Sequence, residues 1–248
     1  MTSKEEMSLL VFLFVLLVVY TSELFLIADW GFRYFTGRSG RALFFRKGAL
    51  FIHIPAVVGL LCFAYGHFIE PYWLEVNKVT VVTDELEEAS FRVVQISDLH
   101  CEAQVGNERE MVEIINSLEP DVIVFNGDAL NVPSGEDVFR EAMGSLDASL
   151  AKLAVTGNWD KAGIESLYEG TGFVLLEDES IQLVKDGERI YITGLIYDRR
   201  EGKRTVFAAV PREAFSVMLY HSPDLVEGLG RFNVDLYLAG HTHGGQVA

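Results

Sequence analysis

Five apolar runs in this chain each end in residues that can bind a metal, and this recurrence narrows the possible folds more than any other feature. Phe91-Arg92-Val93-Val94-Gln95-Ile96 leads into Asp98-Leu99-His100, and Val122-Ile123-Val124-Phe125 leads into Asn126-Gly127-Asp128. Leu153-Ala154-Val155 leads into Gly157-Asn158-Trp159-Asp160, Ser216 to Tyr220 into His221, and Val234 to Ala239 into Gly240-His241-Thr242-His243. Short runs of this kind read as strands. Open α/β sheets bind ligands beyond the carboxyl ends of their strands. Any one of these residues has an ordinary explanation as a capping aspartate or a packed histidine. All five ends together, holding four of the six histidines, point to one shared site. Mixed imidazole and oxygen donors suit manganese, iron or zinc better than calcium.

Between these runs the spacing turns helical, over Asn107 to Leu118, Glu136 to Leu146 and Lys161 to Glu169. Strands alternating with helices predict a layered α/β fold. Ile181 to Val184 and Ile190 to Thr193 flank Lys185-Asp186-Gly187-Glu188, where Asp-Gly predicts a hairpin turn. Val76 to Val82 alternates like a further strand, so residues 70–90 read as a linker with an edge strand.

The first 69 residues have a different character. Two nearly uncharged runs, 9–28 and 49–68, are long enough to cross a bilayer as helices. The proline inside the second, Pro55, is tolerated in membrane helices. Asp29 to Gly48 between them carries Arg33, Arg38, Arg41, Arg46 and Lys47 against one acid. Short basic loops stay cytoplasmic, which predicts a multi-pass membrane protein whose remaining residues lie outside the cytoplasm. His53 and His67 read as helix-packing residues, outside the site.

The formal net charge of −16 is uneven: residues 1–69 hold six Lys+Arg and four Asp+Glu, leaving fourteen basic against thirty-two acidic residues in 70–248. Nucleic acid is not expected as a partner, because phosphate backbones need Lys/Arg neutralisation. Cys62 and Cys101 lie in segments too different to predict a disulfide.

Asp-x-His, Gly-Asp, Gly-Asn-x-Asp, a lone His and Gly-His-x-His, in this order, resemble the signature of calcineurin-like metallophosphoesterases. The resemblance covers residues 91–248. The Gly-Gly-Gln that follows, with apolar spans upstream, is similar to the membrane-associated bacterial phosphodiesterase branch. It implies a β-sandwich flanked by helices, here preceded by a transmembrane hairpin, with two divalent metal ions at the strand ends. One ion would take Asp98, His100 and His243, and the other Asn158, His221 and His241, with Asp128 bridging them. Asp128, Asn158 and His241 would also carry the catalysis. Two ions about 3.5–4 Å apart can hold both oxygens of an in-line displacement and acidify a bridging water.

Two departures from the family pattern refine the expectation. Many members carry a proton-donating histidine where Trp159 stands, and an indole cannot replace it. A phosphate leaving group needs less protonation than an alcohol, so phosphodiesters or pyrophosphates are favoured, including lipid-like ones. Asp160, without that histidine, is expected to cap the following helix. The second departure is the ending: Ala248 follows the last motif almost at once, which suggests a truncated domain. The alternatives are UDP-diacylglucosamine pyrophosphate hydrolysis and a non-catalytic metal-binding scaffold.

Overall fold

The computed structural model describes residues 3–160, 163–197, 206–207 and 210–243, in two compact units, 1–75 and 76–248. The first unit is a helical hairpin of α1 (Ser3–Thr36) and α2 (Leu50–Phe68), both long and apolar enough to cross a membrane. Their apolar side chains are left exposed, unlike those of a soluble core helix; Phe14 is 65 % and Leu61 64 % accessible. Helix α1 outruns the expected 9–28 span and takes in Trp30 and Tyr34. The Asp29–Arg33 ion pair at 2.8 Å supports that extra length. The helix stops where Gly37 turns left-handed at φ 64°. Across the hairpin, His53 Nδ1 meets Glu23 Oε2 at 2.7 Å and Tyr20 donates to the Ala56 carbonyl at 3.3 Å. His53 is therefore a packing residue, as expected.

The second unit holds two four-stranded sheets. In the first, β1 (Val93–Ile96), β2 (Val122–Phe125), β3 (Ala151–Ala154) and β4 (Val174–Leu175) lie in that order and all run parallel. In the second, β5 (Glu179–Lys185) pairs antiparallel with β6 (Glu188–Gly194), and β7 (Phe215–Leu219) and β8 (Leu236–Leu238) follow in parallel. Strand β2 is fully buried because both of its faces are covered. Val122 and Val124 join Leu153, Ile192, Val217 and Leu219 in a core between the sheets. Phe125, on the other face, packs at 5.4 Å on Phe139 of α4 (Glu136–Gly144). With α3 (Glu108–Ser117) and the short α5 (Glu165–Tyr168), this is the expected helix-flanked β-sandwich. The β5–β6 turn is the predicted one, with Asp186 and Gly187 both at positive φ.

Two local expectations change, and one further strand is present. Val76 to Val82 forms no strand: Val79 and Val82 are 85 % and 88 % exposed, and alternation without a neighbouring strand makes no ladder. The helix expected over Lys161 to Glu169 shrinks to α5, because Gly163 at φ 87° interrupts it; Lys161 and Ala162 lie outside the described residues. Two-residue β4 has no sequence periodicity to reveal it.

Far from the strand ends, Asp121 ties the sheets together. Its carboxylate accepts from the Arg92 amide at 2.8 Å, the Ser149 hydroxyl at 2.9 Å and Lys185 Nζ at 2.7 Å. These partners precede β1, precede β3 and end β5.

Candidate metal centre

The five predicted strand ends converge. Beyond β1 and β2 the chains continue side by side: the Asp98 amide donates to the Gly127 carbonyl at 3.0 Å and the His100 amide to the Asp128 carbonyl at 3.1 Å. The second sheet joins them there. The Asn126 side-chain amide donates to the Leu238 carbonyl at 2.6 Å, and the Gly240 amide to the His221 carbonyl at 2.8 Å. The His241 amide bonds both Asp98 oxygens, at 3.1 and 3.0 Å. Room for this approach exists because residue 240 is glycine, whose added Cβ would collide with the Ser97 hydroxyl.

Two groups of donor atoms result, each spanning no more than 4.8 Å: Asp98, His100 and His243, and Asp128, His221 and His241. Asn158 completes the second group, its Oδ1 lying 2.8 Å from both His221 Nε2 and His241 Nδ1. Asp128 Oδ2 faces both groups, 3.3 Å from His221 Nε2 and 3.7 Å from His100 Nε2. Its other oxygen is occupied by the Trp159 amide at 2.8 Å. All seven residues named from the sequence are therefore gathered in one place. Two carboxylates, four imidazoles and one amide oxygen, aimed inward from strand ends, fit a pair of divalent cations of intermediate hardness.

The backbone is bent to aim them. Asp98, His100, Asp128, His241 and His243 have φ of 55°, 44°, 60°, 71° and 48°, in the left-handed region that non-glycine residues avoid. Such outliers gather at functional sites when the surroundings enforce them. Asp160 supplies part of that enforcement. Its carboxylate accepts from the amides of Asp128 at 3.0 Å, Ala129 at 3.0 Å and Gly157 at 2.7 Å, locking two loops together. The N-cap of α5 is Ile164, in place of the Asp160 cap that the sequence suggested. The sequence signal for the locking role of Asp160 was only its place in the Gly-Asn-x-Asp motif.

Asn126 was a second omission. Fully buried, it offers its carbonyl to His221 Nδ1 at 2.6 Å, which orients the ring so that Nε2 faces the site. Burial opposes ionisation of Asp128, but hydrogen bonds from His221 and the Trp159 amide outweigh it and hold the carboxyl below its ordinary range. Burial likewise opposes a charged His221, yet the Asp128 and Asn126 hydrogen bonds and the nearby carboxylates raise its pKa. A cation and a proton thus compete for the same nitrogen. Cys101 is 1 % exposed and burial pushes its thiol up to about 12, so it serves packing. Gly244, Gly245 and Gln246 lie outside the described residues. Trp159 is 56 % exposed and meets the His100 ring edge-on at 5.6 Å. A cleft of about 360 Å³ opens between Ser97, Asp98, Ala239, Gly240, Thr242 and His243.

Comparison with known proteins agrees with this geometry. The metallophosphoesterase YkuE of Bacillus subtilis, named as uncharacterized, is 29% identical over 202 residues, 75% of this chain and 70% of that protein. The phosphodiesterase YaeI of Escherichia coli is 25% identical over 205 residues, 75% of this chain and 72% of its own. The UDP-2,3-diacylglucosamine pyrophosphatase LpxG of Chlamydia muridarum is 23% identical over 214 residues, 63% of this chain and 64% of its own. The model of the calcineurin-like phosphoesterase family matches residues 91–245, which takes in every converging strand end. The chain belongs to that family, whose members are hydrolases acting on phosphoester bonds.

Proposed function

We propose that this protein is a membrane-anchored, dinuclear metal-dependent phosphoesterase that hydrolyses phosphodiester or pyrophosphate bonds, those of lipid-like molecules included. The observation that carries the reading is Asp128 Oδ2, one buried carboxylate oxygen facing both donor groups. Asp98, His100 and His243 would hold one ion, Asn158, His221 and His241 the other, and Asp128 both. Bound there, manganese, iron or zinc would supply Lewis-acid polarisation of the phosphoryl oxygens and an acidified water.

The chain's own residues orient and neutralise. Asp128 would offset repulsion between two dications, and the Trp159 amide holds its carboxylate in place. The Asn126 carbonyl keeps the proton of neutral His221 on Nδ1, which leaves the Nε2 lone pair free. Asn158, which is exposed, and His241 beside it would face the substrate. Trp159 offers an apolar wall in place of an acid. Leaving groups that depart without a proton are therefore favoured, as in activated diesters and pyrophosphates.

The exposed apolar hairpin supports the membrane anchor, and its basic loop supports a catalytic unit outside the cytoplasm. UDP-diacylglucosamine pyrophosphate hydrolysis is the second reading, favoured by the likeness to LpxG. A non-catalytic scaffold is disfavoured because no ligand position has been lost. The test compares hydrolysis of an activated phosphodiester and its matching monoester by the purified protein with manganese, beside Asp128→Ala. Diester preference and bound manganese should vanish together in the variant; turnover at full rate by Asp128→Ala would refute the two-ion reading.

A further inference from the structure

We infer that the segment joining α1 and α2 is a docking surface for anionic phospholipid headgroups, an inference that rests on reading the hairpin as a membrane anchor. Between Asp29 and Gly48 the chain has five cations and one carboxylate. That carboxylate is already committed: one oxygen of Asp29 takes Arg33 Nε at 2.8 Å, the other the Leu43 amide at 2.9 Å. Glu23, the preceding acid on α1, is held by His53. Arg38, Arg41, Arg46 and Lys47 are exposed and form no ion pair among the described residues. Arg38 lies 5.0 Å over the Phe32 ring, which leaves its N–H donors free.

The cations sit on ordered turns. The Arg46 amide donates to the Leu43 carbonyl at 3.0 Å and the Ala49 amide to the Arg46 carbonyl at 2.9 Å. His53 Nε2 meets the Phe44 carbonyl at 2.9 Å, pinning the loop to α2. Little ordering is left for a ligand to impose. The same stretch of chain and the first turn of α2 carry exposed aromatics: Tyr34 at 74 %, Phe35 at 87 %, Phe45 at 50 % and Phe51 at 87 %. Trp30 packs at 6.1 Å on Phe44 and at 6.3 Å on Tyr34. A free phosphate ion would need the cations but not the aromatics. An anionic lipid surface satisfies both, taking the rings at headgroup depth and the cations at its phosphates.

The test uses the full chain reconstituted into vesicles of phosphatidylcholine and phosphatidylglycerol, with either lipid brominated. Trp73→Phe and Trp159→Phe leave Trp30 as reporter, since the chain has three tryptophans. Brominated phosphatidylglycerol should quench Trp30 several-fold more effectively than brominated phosphatidylcholine. The preference should fall to parity with Arg38, Arg41, Arg46 and Lys47 all replaced by glutamine, while total quenching persists. Equal quenching by both lipids with the native loop would overturn the docking surface and leave the anchor standing. Preference retained after the four substitutions would overturn the role of these cations. Absence of quenching by either lipid would overturn the anchor, and the docking surface with it.

Discussion

Asp160→Asn separates the scaffold of the site from its ligands. Aspartate Oδ2 accepts two amides, from Asp128 and Gly157, and Oδ1 accepts one, from Ala129. An asparagine oxygen can keep the first pair, but its NH₂ then faces the Ala129 N–H, donor against donor. Hydrogen bonds to a charged acceptor contribute about 1.5–3 kcal/mol each and neutral ones about 0.5–1.5 kcal/mol. Losing one bond and neutralising two therefore costs about 3–5 kcal/mol. In a unit of this size that lowers Tm by about 6–20 °C, measurable by thermal melting of the full chain in detergent. Asp128 sits at φ 60° between these bonds, so its carboxylate should loosen as well. Outer partners of metal ligands typically account for about 10–100-fold in metal affinity, and manganese titration calorimetry should find a loss of that order. Unchanged melting and unchanged affinity would refute the argument. A lower Tm with full affinity would mean that Asp160 supports the fold without positioning Asp128.

Other outcomes follow from single contacts. Burial disfavours a charged Asp121, but the Arg92 amide, Lys185 and Ser149 prevail and hold its pKa below the ordinary value. A lowered folded pKa gives stability that is full above the unfolded value, about 3.9, and is lost as pH falls through the folded value. The melting difference between the native chain and Asp121→Asn should therefore narrow steadily from about pH 5 downward; a constant difference would contradict the assignment. Gly240→Ala pushes a methyl against the Ser97 hydroxyl and to 2.7 Å from Asp98 Oδ2. Calorimetry should show manganese affinity reduced about tenfold or more. Trp159→His places an acid beside the leaving group, and general acids contribute up to about 10⁴-fold. Rates on alkyl leaving groups should rise, flattening the dependence of rate on leaving-group pKa, whereas an unchanged slope would leave Trp159 without its assigned part.

Strand ends were legible because they combine two short-range signals, an apolar run and the polar residue that stops it. Asp98, Asp128 and His221 need no distant partner to be recognised. What the sequence concealed depends on separation. Asp160 acts on Asp128 and Ala129 from across two loops, and Asp121 finds Lys185 on the other sheet. Neither pairing has a periodicity. Val76 to Val82 misled for the converse reason: alternation records what a strand would present, not whether a neighbour exists to pair with it. The α1 extension was hidden because Asp29 and Arg33 look like loop charges until the helix brings them one turn apart.

The left-handed backbone at Asp98, His100, Asp128, His241 and His243 has a consequence for anyone altering this protein. A side chain in that conformation costs roughly 1–2 kcal/mol, less for aspartate, while glycine avoids the penalty. Asp98 and Asp128 also accept backbone amides that a glycine would abandon, but at His100, His241 and His243 a glycine would relieve the strain and lose only a donor. A library screened only for survival of heating would drift toward glycine there, collecting sturdier molecules that have forgotten their chemistry. Selection for durability has to be coupled, round by round, to selection for turnover.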